Sequence, residues 1–464
     1  MLKQFATTSI TELVASFGTR ETSPVEAIEA ALEQHEYVNG RINAVFNVDA
    51  DRVLEEAREA RNRWISGKPL SGLDGVPITV KDSVAVGGMP TFRGCRAYSD
   101  SPLSSDDSPL VARLKEAGAI ILGKTTQPDL GMLATGVSSL HGVTRNPWNT
   151  GMSPGGSSAG AGASTAAGVT PISIGTDIGG SIRIPAAHNG LVGMKPSRGR
   201  VAHLPAAEMR CAGPLTRTAQ DAALVMEVIS SPDFSDHTLI PFGDGRYLKY
   251  LARPLDNVRI GKMEDVGYGP KATTEILDKL DIAASVFEQL GAIVETFRPE
   301  FSVDILSAVY QLFQTRISTE LRAMTVERRA QVLDHIRCWG AKSEERSALD
   351  FNLALSDIES AKSEFLQSTQ KYDFVISPTL PLVEFPAEQL GPDESDPITH
   401  VNFTCLVNQT GQPSASICCG FSKSGMPIGL QIIGRPFDDA GVLNLAHAYE
   451  EARGFLPEWP VHRS

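Results

Sequence analysis

The sequence predicts an α/β fold: a mixed, mainly parallel central β-sheet covered by helices on both faces. Two stretches carry that expectation. Residues 108–125, SPLVARLKEAGAIILGKT, hold a helical pattern closed by Gly118 and followed at once by the apolar run AIIL. Residues 258–297 repeat the grammar: VRIGKM, then TTEILDKLDIAASVFEQL ended by Gly291, then AIVETF. A helix between two apolar strands is the βαβ pattern, and βαβ units build parallel sheets.

The remaining elements follow in chain order. Residues 1–70 form a helical segment. Ser23-Pro24 supplies a cap and a first-turn proline ahead of VEAIEAALEQHEYV, and Asp49 or Asp51 opens RVLEEAREARNRWI, which ends at Gly67. LDGVPITVKD then gives a strand over Val76–Val80 with Lys81 at its end. From about Val303 to Gln370 the chain is helical with charged faces, which makes 233–370 a candidate helical lobe within a single domain spanning 1–464. DFVISPT, SASICC and PIGLQIIG are strands, and DAGVLNLAHAYEEARG is a helix that completes the sheet.

Composition bounds the function. With 464 residues, 42% hydrophobic and 21% charged, the chain is that of a soluble globular protein. A net charge of −13 and the absence of a basic cluster argue against nucleic-acid or anionic-lipid partners. No stretch approaches a bilayer span and the N-terminus does not read as a leader, so a cytoplasmic location is the default expectation. The six cysteines, at 95, 211, 338, 405, 418 and 419, form no CxxC pair. They are expected to be reduced and structural, and neither a metal nor an organic cofactor is implied.

The chemistry gathers in residues 154–185, PGGSSAGAGASTAAGVTPISIGTDIGGSIRIP. Isoleucines packed around Asp177 and Arg183 rule out a flexible linker and point to backbone brought close to a ligand or a strand. Ser181 follows Ile178-Gly179-Gly180, where glycines free consecutive N–H groups to face one developing oxyanion. A serine needs a base. His141 and His188 lie in no recognisable triad motif, and Lys81, if buried, would become a neutral amine able to take a proton. From the residues alone the base stays open. The segment 118–125, GAIILGKT, matches the phosphate-loop pattern GxxxxGK[ST]. Its context is wrong, because a helix precedes it and AIIL is itself a strand, so a nucleotide-binding protein is a remote alternative.

Taken together, GVPITVKD, GKTTQPDLG, NPWNTGMSPGGSSAG, GTDIGGSIRIPAAHNGLVGMKPSRGRV, GPLTRTAQDAA, DFVISPTLP and GMPIGLQIIG closely resemble the amidase signature family of Ser–Ser–Lys amide hydrolases. The resemblance spans the chain. It implies that Lys81 is the base, Ser157 the bridging serine after a cis Gly156–Ser157 peptide, and Ser181 the nucleophile. It places the oxyanion on the N–H groups of Ile178, Gly179, Gly180 and Ser181, makes Asp177 and Arg183 the clamp of the turn, and sets Met132 at the border of the acyl pocket. Ala159 stands where the family commonly has glycine, and Met426 where it commonly has leucine. Tyr310, Phe313 and Trp339 are candidates for an apolar wall or for helical core. The implied activity is hydrolysis of a small-molecule carboxamide, or related acyl derivative, to an acid and an amine. The alternative within the family is the glutaminase component of a tRNA-dependent amidotransferase. Members of the family are often dimers, and the sequence itself leaves a homodimer open.

Overall fold

The computed structural model describes residues 2–241 and 243–461. Eleven strands form one sheet. In spatial order they are Val45–Phe46, Ile120–Thr125, Pro77–Lys81, Ile172–Asp177, Cys211–Thr216, Val192–Lys195, Ser414–Phe421, Pro427–Gly434, Phe374–Pro378, Arg259–Met263 and Ile293–Phe297. The sheet is mixed, as expected. Its parallel pairs form two blocks, Ile120–Thr125 with Pro77–Lys81 and Ile172–Asp177, and Phe374–Pro378 with Arg259–Met263 and Ile293–Phe297. The middle of the sheet is antiparallel.

The reason lies in the connections. Helices Pro109–Glu116, Ala159–Ala166 and Thr274–Gln289 each lie between parallel strands. By contrast Val192–Lys195 returns to Cys211–Thr216, and Ser414–Phe421 to Pro427–Gly434, with no intervening helix. Without a crossover the chain can only come back antiparallel.

Both faces are buried, and the strands alternate between them. Phe374 and Ile376 belong to one apolar core while Val375, between them, joins the other. Ile121 likewise faces away from Ile120 and Leu122. A period of two with both faces apolar is what a sheet covered on two sides requires.

The expected helices have the expected ends. Pro24–Ile42 starts with a reciprocal cap between Ser23 and Glu26, and Asp49 caps Ala50–Ile65 through the N–H of Arg52. After Pro109–Glu116 the chain turns at Gly118, whose φ is +85°. A Cβ there would stand 2.3 Å from Asp74 Oδ1, so the position takes glycine on both counts. In the stretch 233–370 the first part contributes two strands at the sheet's end with the helix Thr274–Gln289 between them; from Ile305 on it is helical, with Ile305–Arg322, Asp334–Ala341 and Ala348–Thr369 among its helices. Among the described residues no helix is long and apolar enough to cross a membrane.

Candidate active site

Pro77–Lys81 and Ile172–Asp177 are parallel neighbours with Val80 opposite Ile174, so Lys81 and Thr176 emerge at the same edge. That edge is the carboxyl end of the parallel block, where open α/β sheets hold their ligands. Lys81 is 1% exposed, and its Nζ donates to Ser157 Oγ at 2.8 Å and to Thr176 Oγ1 at 3.1 Å. Burial pushes its amine down to about 7; the carboxylate of Asp177 opposes that fall and the guanidinium of Arg210 assists it.

Ser157 is buried and follows a cis peptide from Gly156, as the resemblance implied. The next residue ties the two serine-bearing loops together. Ser158 donates its N–H to the Ser181 carbonyl at 3.2 Å, and its Oγ bridges the N–H and carbonyl of Thr176 at 3.3 Å each.

The turn that carries Ser181 is held from inside. Asp177 accepts from the N–H groups of Gly180 at 2.7 Å and Ile182 at 3.0 Å, from Arg183 Nε and Nη2 at 3.1 and 3.0 Å, and from Asn408 Nδ2 at 2.8 Å. Burial works to raise this carboxyl. The charge and hydrogen bonds of Arg183, with Lys195 and the Ile182 N–H, overcome burial and hold it well below the usual carboxylate range. Arg183 is itself saturated by Gln431 and Asn408, each at 2.6 Å. Outside the turn, Thr404 Oγ1 donates to the Gly179 carbonyl at 2.6 Å.

These bonds decide which donors are free. Among the described residues the N–H groups of Ile178, Gly179 and Ser181 form no hydrogen bond, and all three residues line the cleft. Gly180 corrects the expectation for that position: its N–H is spent on Asp177, and its contribution is the turn itself, with φ at +124°. Ser157 and Ser181 border the same cleft, but no hydrogen bond joins their hydroxyls.

The cleft has two compartments that meet at Ser181, Ile178, Gly131 and Arg316. One is apolar, walled by Met132, Leu133, Ile184, Phe313, Ile398 and Val401. The other holds Lys81, Ser157 and Thr176 together with Gln127, Arg93, Arg210 and Glu320. Met132 lines the apolar compartment. Of the three aromatic candidates only Phe313 borders the cleft. Tyr310 donates its hydroxyl to Asp396 at 2.7 Å and meets Trp339 edge to face at 5.8 Å, away from the lining.

The other candidates lie elsewhere. His188 is buried against Phe385, with both ring nitrogens unpartnered, and burial lowers it to about 4. His141 packs against Phe46 with the rings tilted by 36°. Lys124 sits inside the buried strand Ile120–Thr125 and gives its ammonium to the Val84 carbonyl, so GAIILGKT forms no phosphate loop. All six cysteines are free, and no group of three His, Cys, Asp or Glu among the described residues is arranged for a metal.

Sequence reasoning missed Thr176, Thr404, Gln127 and the arginines of the polar compartment. Thr176 had a signal, since it directly precedes Asp177 on a strand that ends beside Lys81. Arg210 and Arg316 had none, because only the folded chain brings them to the serine.

The cleft thus gathers a serine on a clamped turn with free N–H groups, a buried lysine and a second serine. The family model described as Amidase matches residues 26–443, and the chain belongs to the amidase signature family, enzymes that hydrolyse carbon–nitrogen amide bonds. It is 32% identical over 470 residues to an acylamidase of Rhodococcus erythropolis, covering 98% of this chain and 97% of that one. It is 34% identical over 480 residues to the A component of the glutamyl-tRNA(Gln) amidotransferase of Symbiobacterium thermophilum, covering 94% and 96%. Among solved structures it resembles a bacterial aryl acylamidase of the amidase signature family at TM-score 0.92 and 29% identity, covering 98% of this chain and 99% of that one. A 6-aminohexanoate cyclic dimer hydrolase follows the same course at TM-score 0.89 and 25% identity, with 98% and 99% covered.

Proposed function

We propose that the protein is a stand-alone amidase that hydrolyses a carboxamide through an acyl-enzyme on Ser181. The observation that carries this reading is the buried Lys81 amine 2.8 Å from Ser157 Oγ, beside the turn that presents Ser181. With its amine neutral, Lys81 takes the proton of Ser157, and Ser157 takes that of Ser181 as substrate brings the two hydroxyls together. Such contacts often tighten only in the substrate complex. Ser181 Oγ then attacks the carbonyl carbon, and the free N–H groups of Ile178, Gly179 and Ser181 are the donors available to the oxyanion. Ser157 returns the proton to the nitrogen, the C–N bond breaks and the amine leaves. Water enters, passes its proton along the same relay and releases the acid. Six unpaired cysteines suit a cytoplasmic setting.

The second reading, the ammonia-producing component of an amidotransferase, is favoured by relatives of that name. Against it stands the acyl compartment, whose lining is apolar except for Arg316 and Ser181 and offers little to the charged end of glutamine. A phenylmethylsulfonyl reagent and a panel of aliphatic, aryl and amino-acid amides test both readings. The isolated chain is expected to be sulfonylated at Ser181 and to hydrolyse apolar amides. Inactivation through a different residue overturns the nucleophile, and turnover confined to glutamine favours the amidotransferase reading.

A further inference from the structure

We infer that the leaving amine of the substrate carries a carboxylate, bound in the polar compartment by Arg210 and Arg316. The preferred substrates are then amides joining an apolar acid to an amino acid or a similar anionic amine. This inference rests on the serine amidase reading and adds the substrate class to it.

The orientation comes from the proton. The nitrogen must receive its proton from Ser157 as the C–N bond breaks. Ser157 and Lys81 line the polar compartment and are absent from the apolar one. The amine side of the amide therefore extends into the polar compartment, and the acyl side occupies the apolar one beneath Met132 and Phe313.

The charge comes from an arginine excess. Three guanidinium groups, of Arg93, Arg210 and Arg316, share the polar compartment with one carboxylate, that of Glu320. Arg93 takes one oxygen of Glu320 at 2.6 Å, and Arg316 Nε stands 4.0 Å from the other. Arg210 forms no ion pair among the described residues; its Nη1 reaches only the Pro205 carbonyl at 3.0 Å. Burial, with repulsion from Arg316 and Arg93, lowers Arg210 to about 10, and the charge of Glu320 offsets only part of that fall. A chain of net charge −13 has kept an uncompensated positive chamber beside its nucleophile. Guanidinium groups pair with planar carboxylates through two parallel hydrogen bonds.

Gln127 points the same way independently. It lines the polar compartment and is 1% exposed, yet neither atom of its amide has a partner. A Cβ placed on Gly131 would lie 4.0 Å from Gln127 Oε1 and 3.4 Å from Ser157 Oγ, so the amide stands close to the bridging serine. A buried amide left open on both sides is costly unless a ligand fills it. Its oxygen can accept the substrate N–H and its nitrogen can donate to the carboxylate.

The test compares N-hexanoylglycine with N-hexanoylpropylamine, which share the acyl group and differ in charge. Each hydrolysis consumes one water and yields hexanoate and the free amine. Wild-type kcat/KM is expected to favour the glycine conjugate by about 10-fold or more, the range of one charge-assisted hydrogen bond. Arg210→Gln is expected to lower kcat/KM for that conjugate by about 10- to 100-fold, chiefly through KM, and Arg210→Lys to restore part of it. Equal or faster wild-type turnover of the propylamide overturns the inference and leaves the amidase intact; that comparison needs no variant, so a misfolded Arg210→Gln cannot obscure it. A wild-type preference that survives intact in a folded Arg210→Gln also overturns it. Failure of both amides, with Ser181 unreactive to the sulfonyl reagent, removes the amidase reading and this inference with it.

Discussion

Lys81 Nζ reaches Ser157 Oγ at 2.8 Å from inside the sheet, on a side chain that solvent barely touches. Burial brings its amine down to about 7, so the group changes charge near neutral pH. Below that pH the amine holds its proton and cannot take another; above it the amine is free. The log of kcat/KM is therefore expected to rise with slope one up to about pH 7 and then level off. Lys81→Met should abolish that limb and cost about 10²–10⁴ in rate. A pH profile that falls on passing upward through 7 rejects the neutral amine as the base.

Ser157 touches Lys81, whereas Ser181 sits on its own turn, and the two serines should fail differently. Ser157→Ala is expected to lower kcat by about 10²–10⁴ while leaving Ser181 open to slow sulfonylation. Ser181→Ala should remove both turnover and labelling. Intact-mass measurement beside steady-state rates separates the two, and equal labelling of wild type and Ser181→Ala would falsify the assignment.

Asp177 and Arg183 form a fully buried ion pair across the turn. Removing one partner leaves a charge with no counter-ion in the interior, which costs about 3–5 kcal/mol. Asp177→Asn and Arg183→Met should each lose about that much in urea unfolding, and the double variant should lose less than the sum. Additive losses would mean that the pair is not coupled and that the clamp is held by Asn408 and the backbone donors instead.

Much of the scaffold was legible because local signals and tertiary structure agree. Ser23-Pro24, Asp49 and Gly118 mark element ends by capping and turn chemistry, and the structure uses each as marked. The helix Ala159–Ala166 was not legible. Its glycines oppose helix formation, and each sits where a close neighbour leaves no room for a side chain: a Cβ on Gly160 would come within 2.2 Å of the Ala44 carbonyl, and one on Gly162 within 2.7 Å of Asn189 Nδ2. At the site, the motifs carried Lys81, Ser157 and Ser181 through resemblance. The state of Lys81 did not follow from GVPITVKD, because its burial and its partners come from residues 76 and 95 positions later. The arginine excess was hidden for the same reason, since Arg93, Arg210 and Arg316 come from separate segments that share no spacing.

Gly180 is the position at which the turn tolerates least. At φ +124° an L side chain is strained, and an added Cβ would meet Thr404 Oγ1 at 2.3 Å. Gly180→Ala is expected to destabilise by about 1–3 kcal/mol from the backbone alone. Thr404 would also have to release the Gly179 carbonyl, misaiming the donors next to Ser181. The expected signature is a kcat loss larger than the stability loss explains, measured as residual activity of folded protein at low temperature. A variant with normal kcat would show that the Thr404–Gly179 contact is incidental.

Phe313 sets the depth of the apolar compartment. Its ring tip lies 3.6 Å from where a Cβ on Gly179 would stand, so it closes the space directly above the turn that carries Ser181. Truncation to alanine opens that space toward the helix Ile305–Arg322 on which Phe313 sits. The variant should lose stability, by about 3–5 kcal/mol at most, because the ring is buried but borders a cleft. Its preference should move to longer acids. Each methylene that the enlarged compartment can bury adds about 0.8 kcal/mol, roughly fourfold in kcat/KM. A series of linear acyl amides of increasing length, run on wild type and Phe313→Ala, measures the displacement of the optimum. If the two profiles keep the same optimum and differ only by a uniform factor, the acyl chain does not run past Phe313, and the apolar compartment serves the fold and not the substrate.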